Sequence, residues 1–158
     1  MPVQSLSDLV PASAILPQLS SGSRPRLLHA LAAAAAPLVR RPAPEIEAAL
    51  IEREAQGSTA LGGGVALPHA RLAGLGQPLG LIAQLETPVA WGALDGEPVD
   101  LALCLLSPAT PAPVHLRALA RLTRALRDRR LVGLLRGARG RDSIVALLGG
   151  AVPAAQAA

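Results

Sequence analysis

His69 is the first of three side chains whose type and setting could carry chemistry. It lies in the stretch GGGVALPHARL, residues 62–72, where three glycines lead into a short apolar segment and Pro68 precedes the histidine. Pro68 fixes its own backbone φ and lacks an N–H, so it restricts the backbone that carries His69. An imidazole held at the end of a strand suits a reactive group. The alternative is an ordinary surface histidine after a turn.

Arg53 lies in a helix predicted for residues 45–56. The i, i+3, i+4, i+7 spacing of one apolar stripe is filled by Ile46, Ala49, Leu50 and Arg53. Glu45, Glu47 and Glu54 are expected off this stripe. A guanidinium at the edge of the core could meet an anion, since its planar fork suits phosphate. The alternative is an arginine of the last turn whose stem packs on the core while its charge meets water and the helix dipole.

His115 is the third candidate, in the segment VHLRALARLTRALRD. It shares one helical face with Leu119, Leu122 and Leu126, so it is expected to point inward from the first turn. Arg117, Arg121 and Arg124 line the opposite side. Free N–H groups and the helix dipole make such an N-terminus favourable for anions. The alternative is a half-buried histidine that bonds a nearby carbonyl.

Taken together, two imidazoles and one guanidinium fit a phosphohistidine site. One histidine would take the phosphoryl group on a ring nitrogen. The other two groups would spread the charge of a loose transition state. Such a site needs no metal, and we expect no cofactor. The glycine run before His69 is not a P-loop, because no Gly-Lys-Ser/Thr follows it.

The elements that must position these groups alternate along the chain. The hydrophobic pattern predicts helices over 24–39 (ended by Pro37), 45–56, 114–130, 131–136 and 141–148, and strands over 63–68, 79–85, 87–91 and 99–106. Residues 1–22 form a lead-in in which SLSDLV is a strand or a turn. Alternating helices and strands indicate an α/β fold with helices on the faces of a sheet.

The composition indicates the number of domains and the expected location of the protein. A chain of 158 residues suits one compact domain, and all 15 basic residues are arginine. Cys104 is the only cysteine, so no internal disulfide can form and a reducing cytoplasm is the expected location. The N-terminus lacks the pattern of a signal peptide, and no segment is apolar enough to insert in a membrane.

The segment EREAQGSTALGGGVALPHARL, residues 52–72, resembles the active-site region of enzyme IIA components of the bacterial phosphotransferase system. The likeness is to the fructose/mannitol type and above all to its nitrogen-regulatory branch. It rests on Arg53, the GST turn 57–59 and Leu67-Pro68-His69, and it continues through 84–108 and 115–128. The resemblance implies a mixed β-sheet flanked by helices, with a type 2 IIA domain over 1–150 and a flexible tail over 151–158.

The same resemblance implies a role for each candidate. His69 would accept the phosphoryl group from a histidine-containing phosphocarrier protein, His115 would assist it, and Arg53 would stabilise the phosphate charge. The protein would then act as a regulatory switch on target proteins. A sugar-specific IIA that passes phosphate to a IIB component is the alternative. The departures from the family pattern, among them Gly63 and Trp91, remove none of these three groups.

A nucleic-acid-binding protein is a more distant alternative. Residues 117–141 contain nine arginines and one aspartate, which form a local basic patch. The sequence lacks a set of stacking aromatics and a recognisable DNA-binding motif, so we expect no nucleic-acid partner. His29 lies far from the motif and is expected to be structural or solvated. Cys104 lies in an apolar strand and is expected in the core.

Overall fold

A computed structural model describes residues 5–150 as one six-stranded sheet with helices packed against it. The strands are β1 Ile15–Leu19, β2 Ala60–Gly62, β3 Val65–Ala66, β4 His69–Leu72, β5 Leu79–Val89 and β6 Val99–Pro108. The helices are α1 Arg24–Val39, α2 Ala43–Ala55, α3 Ala112–Arg127, α4 Arg129–Gly137 and α5 Arg141–Leu148. The predicted tail, 151–158, lies outside the described residues.

The sheet is mixed, and β6 is its central strand. Its order is β1-β5-β6-β3-β2, and β4 also pairs with β6. The β5–β6 pair is antiparallel, whereas β3 and β4 run parallel to β6 one after the other. Helix α3 packs on β6, α2 on β4 and α1 on β5. The predicted α/β class, a mixed sheet flanked by helices, is therefore confirmed.

Helix α1 corrects one expectation. Ser23 caps it by accepting from the N–H of Arg26, and the helix runs through Pro37 to Val39. Pro37 does not end the helix, because it lies in the last turn and removes only its own N–H from the hydrogen-bond pattern. The N–H groups of Arg40 and Arg41 both reach the carbonyl of Ala36 and close the helix there.

Three strand expectations also change. Within the predicted strand 63–68 only Val65–Ala66 is a strand, β3, which pairs with β2 across a glycine turn with positive φ at all three glycines. The predicted strands 79–85 and 87–91 are one strand, β5. Strands β1, β2 and β4 were not predicted, and SLSDLV is a turn rather than a strand.

Asp128 separates helix α3 from helix α4. Helix α3 ends at Arg127 rather than at residue 130, since Asp128 has extended backbone angles. Its carboxylate accepts from the N–H groups of Arg130 and Leu131 and so caps α4. Asp at the N-cap stabilises a helix start by about 1 kcal/mol. The boundary between the two predicted helices therefore lies at Asp128 instead of at residue 130.

Aliphatic side chains build the core, as the composition predicts. Strand β6 is buried along its length apart from Asp100, and Cys104 is fully buried within it. Burial raises the pKa of the Cys104 thiol to about 12. Among the helices of residues 5–150, none is long and apolar enough to cross a membrane.

Candidate functional site

His69 opens strand β4 and its ring is held in one tautomer. The main chain is fixed on both sides, since the N–H of Leu105 donates to the carbonyl of Pro68 and His69 pairs with Leu105 across the sheet. The ring Nδ1 lies 2.8 Å from the carbonyl oxygen of Leu67. A carbonyl only accepts, so Nδ1 carries the proton and the lone pair is on Nε2.

Arg53 reaches this lone pair from the last turn of α2. Its Nε–H donates to His69 Nε2 at 3.3 Å, and its Nη1 donates to the carbonyl of Gly57 at 3.0 Å. The Gly57 contact holds the guanidinium against the turn that follows the helix. The sequence-based placement of Arg53 at the edge of the core therefore agrees with the structure, in which its side chain is half-buried.

His115 lies beside His69. The two ring centroids are 5.7 Å apart, and His115 is only 4% exposed. It sits in the first turn of α3, and its Nδ1 bonds the hydroxyl of Ser107 on β6. The structure thus brings all three predicted site residues together, from α2, β4 and α3. His29 lies apart on the exposed side of α1, where its ring bonds Glu47 at 2.9 Å.

Both site imidazoles are neutral at pH 7. Burial lowers the pKa of His115 to about 4, with smaller contributions from the charges of Arg71 and His69. Burial also lowers the pKa of His69, and the hydrogen bond to Leu67 opposes that shift in part. A neutral imidazole keeps one unprotonated lone pair, so Nε2 of His69 has the chemistry that a nucleophile requires.

Arg71 was not singled out from the sequence. It is exposed two residues after His69 on β4, so both side chains project from the same side of the strand. It pairs in register with Ser107, the residue that bonds His115. Its charge lowers the pKa of both imidazoles. Alternation along a strand would have found it, but β4 itself was not predicted.

Glu54 was predicted to lie off the apolar face of α2, and that expectation is wrong. It is 6% exposed and follows Leu50 by one helical turn. One carboxylate oxygen accepts from the N–H of Thr59 at 2.9 Å and from Trp91 Nε1 at 3.2 Å, and the other accepts from the Thr59 hydroxyl. A buried carboxylate needs such donors. This Glu54–Thr59–Trp91 cluster fixes the turn on which Arg53 rests.

Comparison with known proteins adds the family. A family model described as the EIIA 2 component of the phosphoenolpyruvate-dependent sugar phosphotransferase system matches residues 9–150. The chain belongs to this family. The matched range spans the three groups that the fold brings together, Arg53, His69 and His115.

The relatives of this EIIA 2 chain include nitrogen regulatory proteins. That of Bradyrhizobium diazoefficiens is 42% identical over 153 residues, which cover 97% of this chain and 99% of the relative. That of Escherichia coli is 34% identical over 127 residues, covering 80% and 78%. These matches confirm the predicted IIA family and the predicted nitrogen-regulatory type.

Solved structures agree on the fold. The nitrogen regulatory protein IIA-Ntr from Neisseria meningitidis superposes with a TM-score of 0.85 at 30% identity, over 90% of this chain and 98% of that one. The mannitol IIA of Escherichia coli gives a TM-score of 0.73 at 19% identity, over 87% and 96%. The second likeness shows the shared fold alone.

Proposed function

We propose that this EIIA 2 protein accepts a phosphoryl group on Nε2 of His69 from a histidine-containing phosphocarrier protein. The observation that carries the proposal is the tautomer of His69. The Leu67 carbonyl holds the proton on Nδ1, and the N–H of Arg53 points at the lone pair on Nε2. The nucleophilic nitrogen is therefore fixed, and it faces the guanidinium of Arg53.

The transfer exchanges one phosphorus–nitrogen bond for another. The lone pair of His69 Nε2 attacks phosphorus while the bond from phosphorus to the donor imidazole breaks. The donor nitrogen keeps that electron pair, and the phosphoryl oxygens keep their charge. Little covalent work falls to other residues, so positioning and charge stabilisation carry the catalysis.

Arg53 supplies the charge stabilisation. Its hydrogen bond to Nε2 must open for attack, and at 3.3 Å that bond is slightly longer than the usual range. The guanidinium then needs only to turn toward the phosphoryl oxygens, which it can bind as a planar fork. The Gly57 carbonyl keeps its other arm in place meanwhile.

His115 supplies a neutral donor. We assign the Ser107 hydroxyl as donor to His115 Nδ1, which leaves the proton on Nε2 for a phosphoryl oxygen. A neutral imidazole with a pKa of about 4 can donate without being a competing charge at the site. Its own lone pair is occupied by Ser107, which explains why His69 and not His115 is the acceptor.

The relatives support a regulatory role. In this proposal the phosphoryl state of His69 governs binding to regulatory target proteins, which is in keeping with its similarity to nitrogen regulatory proteins. The alternative, transfer to a IIB component, is motivated by the mannitol enzyme IIA structure solved with a phosphorylated IIB partner. We place the domain over 1–150.

The test is the intact mass after incubation with phosphoenolpyruvate, enzyme I and a phosphocarrier protein. We expect one acid-labile gain of about 80 Da, the mass of one phosphoryl group on a nucleophilic imidazole. His69→Ala should lose the gain, and His29→Ala is the matched control that should keep it. His115→Ala and Arg53→Ala should gain the same mass more slowly.

Two results would overturn the proposal. One is a mass gain that persists in His69→Ala. The other is phosphorylation of both His115→Ala and Arg53→Ala at the wild-type rate.

A further inference from the structure

A cavity lies at the C-terminal end of α3. It has a volume of about 580 Å³, which is within the usual range of small-molecule sites. The floor is apolar, and the β2–β3 glycine turn and helix α4 form the walls. The lining residues that matter here are Leu61, Val65, Leu126, Val132, Gly133 and three arginines.

The cavity is separate from the histidine site. His115 lies in the first turn of α3 and Leu126 in the last, so about 16 Å of helix separates them at 1.5 Å per residue. The strand pairings also place the cavity and the histidine site at different positions along β6. Val65 pairs with Leu101 near the start of β6, whereas His69 pairs with Leu105 farther along.

The arginines of the cavity have different surroundings. Arg136 already has partners within the protein, since its guanidinium pairs with Asp100 and donates to the carbonyl of Gly63. It therefore joins α4 to the glycine turn and holds the cavity walls together. Arg127 and Arg129 are exposed and make no side-chain hydrogen bond or ion pair within residues 5–150. Asp128 between them is occupied as the cap of α4.

Two glycines keep the cavity open. Gly133 lies inside α4, where glycine lowers helix stability relative to alanine. A Cβ added there would meet no other atom within 4 Å, so close packing does not require the glycine. Gly63 on the opposite wall is equally unobstructed. A larger residue at either position would place its side chain in the cavity, and glycine leaves that space open.

We propose that this cavity binds an organic phosphate that has an apolar body. The buried side chains of Val65, Leu126 and Val132 would contact the body. Arg127 and Arg129 would bind the phosphate at the rim, where guanidinium forks suit its oxygens. None of the described lining residues is acidic, and the nearby carboxylates already have partners, Asp95 in the Gly63 N–H and Asp100 in Arg136. Arg127 and Arg129 are therefore the groups of the rim that can bind an anion.

The test is an NMR titration of the full chain with n-hexyl phosphate, observed through backbone amides. We expect saturable shifts centred on Gly62, Gly63 and Gly133, with a Kd of about 1 mM or below. Inorganic phosphate should bind at least about tenfold more weakly, because it lacks the apolar body. Hexanol should bind weakly for lack of the charge.

Variants distinguish specific binding in the cavity from nonspecific attraction of the phosphate to a positively charged protein. Arg127→Ala and Arg129→Ala should each weaken hexyl phosphate binding about tenfold. Arg139→Ala removes the same charge from an exposed position outside the cavity and should change little. Gly133→Leu should block binding by filling the cavity, while phosphorylation of His69 stays at the wild-type rate.

The proposal is overturned if hexyl phosphate gives no saturable shifts at these glycines. It is also overturned if inorganic phosphate binds as tightly, or if Arg139→Ala weakens binding as much as Arg127→Ala and Arg129→Ala. None of these results bears on phosphoryl transfer to His69, which the mass measurement tests separately.

Discussion

Glu54→Gln tests the buried cluster beneath the site most sharply. The carboxylate accepts three hydrogen bonds, two from Thr59 and one from Trp91. Glutamine keeps the shape, and its amide oxygen can still accept from the Thr59 N–H and from Trp91 Nε1. Its NH₂ group then faces the Thr59 hydroxyl, which can accept as well as donate, so no donor is left unpaired. The change removes the charge of the acceptor, and because hydrogen bonds to charged groups are stronger than neutral ones, we expect a loss of about 1–2 kcal/mol.

The chain supplies its own probe for this measurement. Trp91 is the only tryptophan and its indole N–H bonds Glu54 directly, so its fluorescence reports the cluster during urea unfolding. For a domain of this size, a loss of about 1–2 kcal/mol lowers Tm by about 2–8 °C. Glu52→Gln is the matched control. Glu52 lies exposed on the same helix and should change stability by less than about 0.5 kcal/mol.

A second readout separates positioning from stability. Under folded conditions, Glu54→Gln should slow phosphorylation of His69, because the turn that holds Gly57 and thus Arg53 is less firmly anchored. The reasoning is refuted if Glu54→Gln unfolds within about 0.5 kcal/mol of Glu52→Gln.

Three further outcomes follow from the site and the glycine turn. His115 has a pKa of about 4 when folded against 6.5 unfolded, so the unfolded chain takes up the proton first. Lowering the pH from 6.5 to 4 should therefore reduce the free energy of unfolding, by as much as about 3 kcal/mol from this group, and urea titrations of His115→Asn should show a smaller loss. Arg53→Ala should slow phosphorylation about 100-fold in a quench-flow assay with His69 still the modified residue, and Arg53→Lys should restore little of it, because an ammonium lacks the planar fork. Gly64→Ala should lower stability by about 1–3 kcal/mol in urea unfolding, since φ there is +82° and a Cβ would meet the Arg136 guanidinium. Gly96→Ala, at φ +74° with open space around it, should cost less and thus measure the backbone strain alone.

The periodic elements were the ones that the sequence could predict. Helix α1 matches its predicted bounds, and the apolar run of β6 was predicted within two residues of its end. Strands β1 and β4 were missed because they are short and carry no clear alternation. Both depend on pairing with the long strands β5 and β6, which is a property of the fold and not of the local sequence.

The sequence predicted those site residues whose type is unusual for their position in a helix or strand. Two histidines and an arginine at element ends were found, and the fold brings them into contact. Ser107 and Glu54 were missed for a shared reason. A serine in an apolar strand and a glutamate next to an arginine look ordinary in sequence, and their roles depend on partners from distant segments.

The most direct test is to identify the histidine nitrogen that carries the phosphoryl group. Phosphorylated protein, labelled with ¹⁵N in histidine, should be examined by phosphorus–nitrogen correlation NMR, with His69→Ala as the blank. We expect the phosphoryl group on Nε2 of His69, with Nδ1 still protonated and bonded to the Leu67 carbonyl. Phosphorylation on Nδ1 of His69 would contradict the account, because that nitrogen carries the proton bonded to the Leu67 carbonyl. Phosphorylation on His115 would contradict it as well, because the Ser107 hydroxyl occupies the lone pair of that ring.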